Sequence, residues 1–514
     1  MPEPALLHST GPARRLAAVR AVHGGRGDAR TTGDVAYVVY ATVLVVAIVV
    51  VPLVRGVVVG LSGPEVIGVL AAPPAARGAG VVVGLLLAAL VLLGQVRGPA
   101  LTTPFFTVAV AGTDLPRRLT LRRPFCTAAT LLLASSVLVT AVLAWVLHDA
   151  AGASASAAGA LVLGAAALGL LAAVTWLLGQ RLGPARAAWL AGTLAAVTGL
   201  HALVPAVGIL APGGWFAALW PVTGAVPSWA EPLALPVLVA TALLSVAAVP
   251  RLLDALGGVE LLAQARRWET AGTSVSAGDL AGALGQLRPP PRTGRTWWAV
   301  RGRSTVTRFL VRDLVGALRT PARAVGGALS LVLAGALLAA GLEGTGPLGR
   351  VAAAGGAVVG YLALGVVSDG FRHAAEAAAA PALYRHSTGG LFALHAALPT
   401  ACALFLTGVG AAAVAGPDLV VGPAVAALGC FLVLVRARDS AKGPLPPQLL
   451  TPVPTPAGDA SGVAIVVWQA DALIVSALVA AGASSAPDAL TTLLVVALGA
   501  LGAGLGARTR LRRT

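Results

Sequence analysis

The chain has 514 residues, of which 57% are hydrophobic and only 11% charged, with a mean hydropathy of +0.87 and a formal net charge of +16. That balance excludes an ordinary water-soluble globular domain and makes lipid the expected solvent for most of the surface. Arg outnumbers Lys 35 to 1, a bias of high-GC bacterial coding that carries no information about activity.

Crossing a hydrocarbon core about 30 Å thick takes roughly 20 apolar residues. Stretches of that length, bounded by charge or by Gly/Pro clusters, predict six spans near 35–59, 79–96, 125–147, 154–178, 187–210 and 232–250, and six more near 324–341, 351–368, 391–415, 419–436, 462–481 and 488–507. The expected fold is an all-α polytopic membrane protein of about 12 transmembrane helices, built as two six-helix halves with interfacial helices. Residues 1–250 form the first half with a basic N-terminal segment, 251–323 a cytoplasmic linker and interfacial helix, and 324–514 the second half with a basic C-terminal tail.

Residues 1–33 are basic and lack an apolar h-region, and the first apolar stretch is too long for a signal peptide, so the first span is expected to be retained. Ahead of it Leu16, Val19 and Val22 alternate with Arg14, Arg15 and Arg20, a weakly amphipathic pattern. The inner loop from 97 to 124 is long and contains Asp114-Leu115-Pro116-Arg117-Arg118 followed by Leu121-Arg122-Arg123. Between the fifth and sixth spans, Ala211 to Glu231 is apolar yet broken by Pro212, Gly213, Gly214, Pro221, Gly224 and Pro227, with Trp215, Trp220 and Trp229 interleaved. A re-entrant or interfacial outer hairpin fits, because broken helix at membrane depth needs protein cover.

In the central stretch, Arg251 to Trp268 and Ser276 to Leu287 have helical character, and Pro289-Pro290-Pro291 with Arg292 to Arg303 reads as linker. Val306, Phe309, Leu310, Leu314, Ala317 and Leu318 then recur at helical spacing, with Arg308, Arg312 and Arg319 on the remaining faces. That pattern describes a helix lying along the membrane surface, the alternative being a basic flank that only fixes topology. The second half repeats the long inner loop at 369–390, with Asp369, Arg372, His373, Glu376, Pro381, Tyr384 and Arg385. Gln469 and Asp471 stand near the middle of the eleventh span. A carboxylate there lines a translocation path or is hydrogen-bonded to a neighbouring helix, unless the ends of the span lie elsewhere. His201 and His395 read as packing groups more readily than as proton relays, and Cys126, Cys402 and Cys430 have neither metal nor disulfide spacing.

With both termini in the cytoplasm, 33 of the 36 basic residues fall on the inner side, and only Arg55, Arg77 and Arg350 on the outer. The positive-inside rule accounts for that asymmetry, so the charge reads as topology and inner-leaflet attraction and not as a nucleic-acid interface. Trp145, Trp176 and Trp189 at span ends agree. The single lysine, Lys442, is preceded by Ala441 and followed by Gly443, so no Walker site forms around it, and neither His-Glu-x-x-His nor Gly-x-Ser-x-Gly occurs. Intrinsic catalysis is not expected.

The interfacial helix with Arg312-Asp313-Leu314, the inner loops with Leu115-Pro116-Arg117-Arg118 and Pro381-Ala382-Leu383-Tyr384-Arg385, and the apolar hairpin after the fifth span resemble permease subunits of ABC-2-type exporters. Here two six-helix halves are fused in one chain, as in an actinobacterial group of such permeases. The resemblance implies a multi-pass protein of the bacterial cytoplasmic membrane and a separate ATPase dimer at its cytoplasmic face. ATP and Mg²⁺ would be bound by that partner, with no cofactor in this chain, and cargo would cross between the halves. It makes Asp114, Arg117, Arg118, Arg122, Arg123, Arg372, Glu376, Tyr384 and Arg385 the expected coupling residues, with Gln469 and Asp471 along the path. The second half departs from the pattern, having only Ala483 to Asp488 where the first has its long outer hairpin. A secondary carrier of the major facilitator type also has 6+6 helices. Its short loop after the second span does not match the roughly 28 residues here, and Gly112-Thr113-Asp114-Leu115-Pro116-Arg117-Arg118 has the wrong spacing for its signature turn. A membrane enzyme or scaffold is the third reading.

Overall fold

A computed structural model describes residues 32–47, 51–111, 115–221, 230–276, 280–287, 291, 293–344, 346–378, 386–416, 420–443, 445–451, 454–455, 458–459 and 461–511. The described residues are helical apart from turns and one antiparallel pair of two-residue strands, Pro454–Thr455 with Gly458–Asp459. Ten of the helices are long and apolar enough to cross a membrane, and the chain is a multi-pass α-helical membrane protein. All ten coincide with spans expected from sequence. The expected span at 187–210 holds a 20-residue helix, Pro184–Leu203, followed by the tighter turn Pro205–Leu210. That at 35–59 holds Thr32–Val45 and Val51–Leu61, with residues 48–50 outside the described set, as is the expected amphipathic segment at 14–22.

The chain forms two compact units, Met1–Thr273 with Ala283–Arg288, and Ser274–Gly282 with Pro289–Thr514. In the first, α1 (Pro73–Val96), α2 (Arg122–Ala151), α3 (Ala155–Arg181), α4 (Pro184–Leu203) and α5 (Glu231–Ala247) form the bundle, and α6 (Gly258–Ser276) packs on it. Proline opens α1 and α4, at positions where a missing N–H leaves no intrahelical bond unmade. Gly152, at φ 71°, closes α2 in the left-handed region. The expected outer hairpin is represented by Pro212–Ala218, a short helix whose Gly213, Gly214, Phe216 and Ala217 are buried, and residues 222–229 lie outside the described set. This short helix is thus covered by protein.

The second unit contains α7 (Thr305–Leu318), α8 (Pro321–Glu343), α9 (Gly346–Leu364), α10 (Asp369–Ala378), α11 (Thr388–Cys402), α12 (Val421–Ser440), α13 (Ser461–Ser484) and α14 (Ala489–Leu511). Ser304 and Thr307 form a reciprocal capping box that starts α7, the amphipathic helix expected from sequence. After Pro399, which lacks an N–H, the backbone of α11 widens into a π-type turn over Ala403–Thr407 and continues to Ala415. The stretch expected as linker is divided between the units: α6 as far as Thr273 belongs to the first and α7 to the second.

Apolar helices in lipid associate through close packing and polar ties, not through expulsion of water. Gly94 of α1 lies against α3 so closely that a Cβ there would stand 2.6 Å from the Trp176 carbonyl oxygen. Gly356 of α9 meets α8 in the same way, with a Cβ 2.9 Å from the Leu338 nitrogen. Around the second contact the core includes Leu338, Leu364, Leu428 and Phe431, all fully buried. Trp189, Leu244, Leu478 and Leu498 point outward, the arrangement expected where the surroundings are acyl chains. Gly94→Ala is expected to destabilise the protein by about 1–3 kcal/mol through overpacking against backbone that cannot yield. Gly78→Ala, on the same helix with nothing within 4 Å, should be neutral or stabilising. Thermal unfolding of both variants in detergent checks the pair.

Candidate functional site

Among the described residues, those expected to receive a partner lie at the start of α2 or on short helices. In the first unit Asp114 is outside the described residues, while Arg117 and Arg118 open a single helical turn, Arg117–Thr120. The Arg118 backbone N–H donates to Asp254 Oδ1 at 2.8 Å and its Nε lies 3.7 Å from Oδ2, tying the loop to Val249–Asp254, the extension of α5. Arg122 and Arg123 begin α2 and are exposed.

The start of the same loop is fixed by three amides. Gln264 of α6 donates to the Gly94 carbonyl at 3.0 Å and accepts from Gln180 Nε2 at 3.0 Å, and Gln180 accepts from the Ala100 N–H at 3.2 Å. Gln95 donates to the Leu182 carbonyl at 2.8 Å and to that of Gly179. The Trp268 indole donates to the Val96 carbonyl at 2.9 Å, with the Arg97 guanidinium 5.0 Å from its ring centroid, and the Trp176 indole donates to the Arg97 carbonyl at 2.6 Å. The sequence reading missed this set. Its signal is the Leu-Gly-Gln that ends two apolar runs, at 93–95 and 178–180, because an amide at a helix end in lipid must find partners. His201 of α4 is buried in a slot walled by Gly80 and Gly208.

In the second unit α10 carries the expected residues Arg372 and Glu376, both exposed, with His373 Nδ1 3.6 Å from Glu376 Oε2. Tyr384 and Arg385 lie outside the described residues. The start of α10 is anchored by Asp369, which accepts from Arg323 of α8 at 2.8 and 3.3 Å, a bidentate pair. One turn of contact further, Asp313 of α7 and His395 of α11 are 2.6 Å apart, carboxylate to Nδ1, at 9% and 3% side-chain exposure. Phe309 meets the imidazole edge-on at 4.8 Å. Gly370 of α10 lies against this pair, and a Cβ at that position would collide with the His395 ring and stand 2.9 Å from Asp313 Oδ2. Three helices therefore close on one buried hydrogen bond. His395, taken from sequence as a packing group, holds the aspartate of Arg312-Asp313-Leu314.

Asp471 occupies the eleventh position of α13, where Lys442 Nζ lies 2.6 Å from Oδ1, and Arg438 Nη2 and Arg510 Nη2 lie 3.0 and 2.8 Å from Oδ2. Arg438 belongs to the last turn of α12 and Arg510 to the last turn of α14, so Asp471 lies level with the reach of the basic helix ends. Lys442 also donates to the Trp468 carbonyl, and its ammonium is 4.4 Å from the indole centroid. Gln469 is half-buried, its carbonyl 3.5 Å from Lys442 Nζ. Beside this group Tyr361 donates to Asp439 Oδ2 at 2.6 Å, and Arg436 stacks 4.6 Å over the Tyr361 ring while donating to Ser368.

Substituting Asp313 by Ala leaves a buried imidazole donor unmatched and is expected to cost about 1–3 kcal/mol. Amide hydrogen exchange should rise across residues 305–318, whereas Glu376→Gln, on the exposed face of α10, should leave it unchanged. No protein-family model, curated protein or solved structure matches the chain.

Proposed function

We propose that the chain is the membrane-spanning permease subunit of an ABC-2-type exporter in a bacterial cytoplasmic membrane, with both termini cytoplasmic and transport driven by a separate ATPase dimer. The observation that carries this reading is the joint made by Asp313, His395 and Gly370, which fastens an amphipathic surface helix and a short charged helix to a spanning helix. A push delivered to exposed Arg372 or Glu376 on α10 would pass through a buried, hydrogen-bonded contact into α11 without first deforming a loop. Such a joint suits an element that receives work from outside the membrane. In the first unit, the turn at Arg117–Thr120 is tied through Asp254 to a spanning helix and has the same character. On this reading the chain performs no chemistry of its own, and ATP and Mg²⁺ belong to the partner.

Gentle detergent pull-down of the tagged protein from its host, with mass spectrometry, is expected to recover a Walker-motif ATPase in stoichiometric amount, crosslinked to residues 97–124 and 369–390. A solitary protein that moves cargo in ATP-free vesicles under a proton gradient would overturn the proposal in favour of a secondary carrier. Charge reversal at Arg117 with Arg118, or at Glu376 with Arg385, is expected to leave insertion intact and abolish ATP-dependent export. Normal export by those variants would remove the two loops from the coupling role.

A further inference from the structure

Among the described residues, the ion cluster around Asp471 is not neutral. Among the described residues, Arg436, Arg438, Lys442 and Arg510 form ion pairs with only two carboxylates, Asp439 and Asp471. Four positive and two negative groups leave an excess of two positive charges. Both Asp471 oxygens are already engaged, Oδ1 by Lys442 and Oδ2 by the two arginines, and Asp439 is shared among Tyr361, Arg436 and Lys442. The cationic side chains are 9–22% exposed, too enclosed for bulk water to screen them as it does surface charges. Each arginine brings five N–H donors in a fixed fork; Asp471 and the Arg438 carbonyl together take only part of those on Arg438 and Arg510.

The surroundings identify the counter-charge. Ile474 and Leu478 of α13, in the turns after Asp471 and on the bundle side of the helix ends, are 39% and 66% exposed, an apolar face that in a bilayer lies against acyl chains. Trp468 stands one turn before Asp471 with its indole against Lys442, the position an indole takes between hydrocarbon and headgroup. An anion reaching this cluster from the apolar side arrives attached to a lipid. We propose that Arg438, Arg510 and their neighbours bind the phosphodiester of an anionic phospholipid, whose acyl chains lie along the Ile474 and Leu478 face of α13. Asp471 holds the three cations together so that the headgroup meets a preformed cluster. This site is independent of any ATPase partner.

The test uses the full chain, purified and delipidated in detergent, titrated with phosphatidylglycerol, phosphatidylcholine or inorganic phosphate, and read by native mass spectrometry and thermal shift. Phosphatidylglycerol is expected to be retained and to raise the unfolding temperature, while phosphatidylcholine and phosphate do neither. Arg438→Gln and Arg510→Gln should each weaken retention roughly fivefold, from about 1 kcal/mol per basic residue facing an anionic lipid. Arg181→Gln in the other unit should have no effect. Equal retention of both lipids by the wild-type protein would overturn the proposal whatever the variants do. An equal response to inorganic phosphate would overturn the lipid assignment. Loss of retention in Asp471→Asn with none in the arginine variants would show that the cations serve only the carboxylate.

Discussion

Polar ties at one end of each bundle fix the register of helices that would otherwise be free to slide. In lipid, an apolar helix face gains little by exchanging acyl chains for another apolar face, so burial alone does not select one alignment over its neighbours. In the first unit the selection is made by Gln95, Gln180 and Gln264, which join α1, α3 and α6 through amide hydrogen bonds. In the second it is made by charge: Arg323 with Asp369, Tyr361 with Asp439, and Asp471 with three cations. An unpaired charge or amide at these depths costs several kcal/mol, so a register shift of one helical turn is penalised at several points together.

Once the ends are fixed, glycine decides how near the helices come. Gly94 and Gly356 bring backbone against backbone between α1 and α3 and between α8 and α9, and dispersion replaces the absent hydrophobic drive. The joint of Asp313, His395 and Gly370 combines both devices, a buried charge-assisted hydrogen bond and a glycine that admits it. Packed contacts of this kind pass displacement on with little loss, because they cannot compress. The widened turn at Ala403–Thr407 lies further along the same spanning segment as His395, where backbone hydrogen bonding is already irregular.

Among the described residues, the makeup of the charged end differs between the two units. The first closes its charged end with neutral amides and indoles around Arg97, whereas the second gathers Arg436, Arg438, Lys442 and Arg510 around two carboxylates. The same topological rule, basic residues gathered at one end, is met in one unit by dispersed arginines and in the other by a concentrated cluster.

The spans were legible in the sequence because insertion in lipid demands long, nearly uncharged helices, and ten of the expected stretches are such helices. The amphipathic helix before α8 was legible for a related reason: its arginines and apolar residues separate onto faces that periodicity reveals. What each polar side chain touches was not legible, since spans that are apolar on every face give no periodic clue to their neighbours. Asp471 stood near the middle of its hydrophobic stretch, and only the tertiary structure brought the ends of α12 and α14 to it. His395 looked like a packing group until α7 supplied Asp313. Sequence determined which segments cross, because the solvent imposes that on each segment alone; the fold decided the partners, because a buried charge is satisfied by whatever distant helix end the packing delivers.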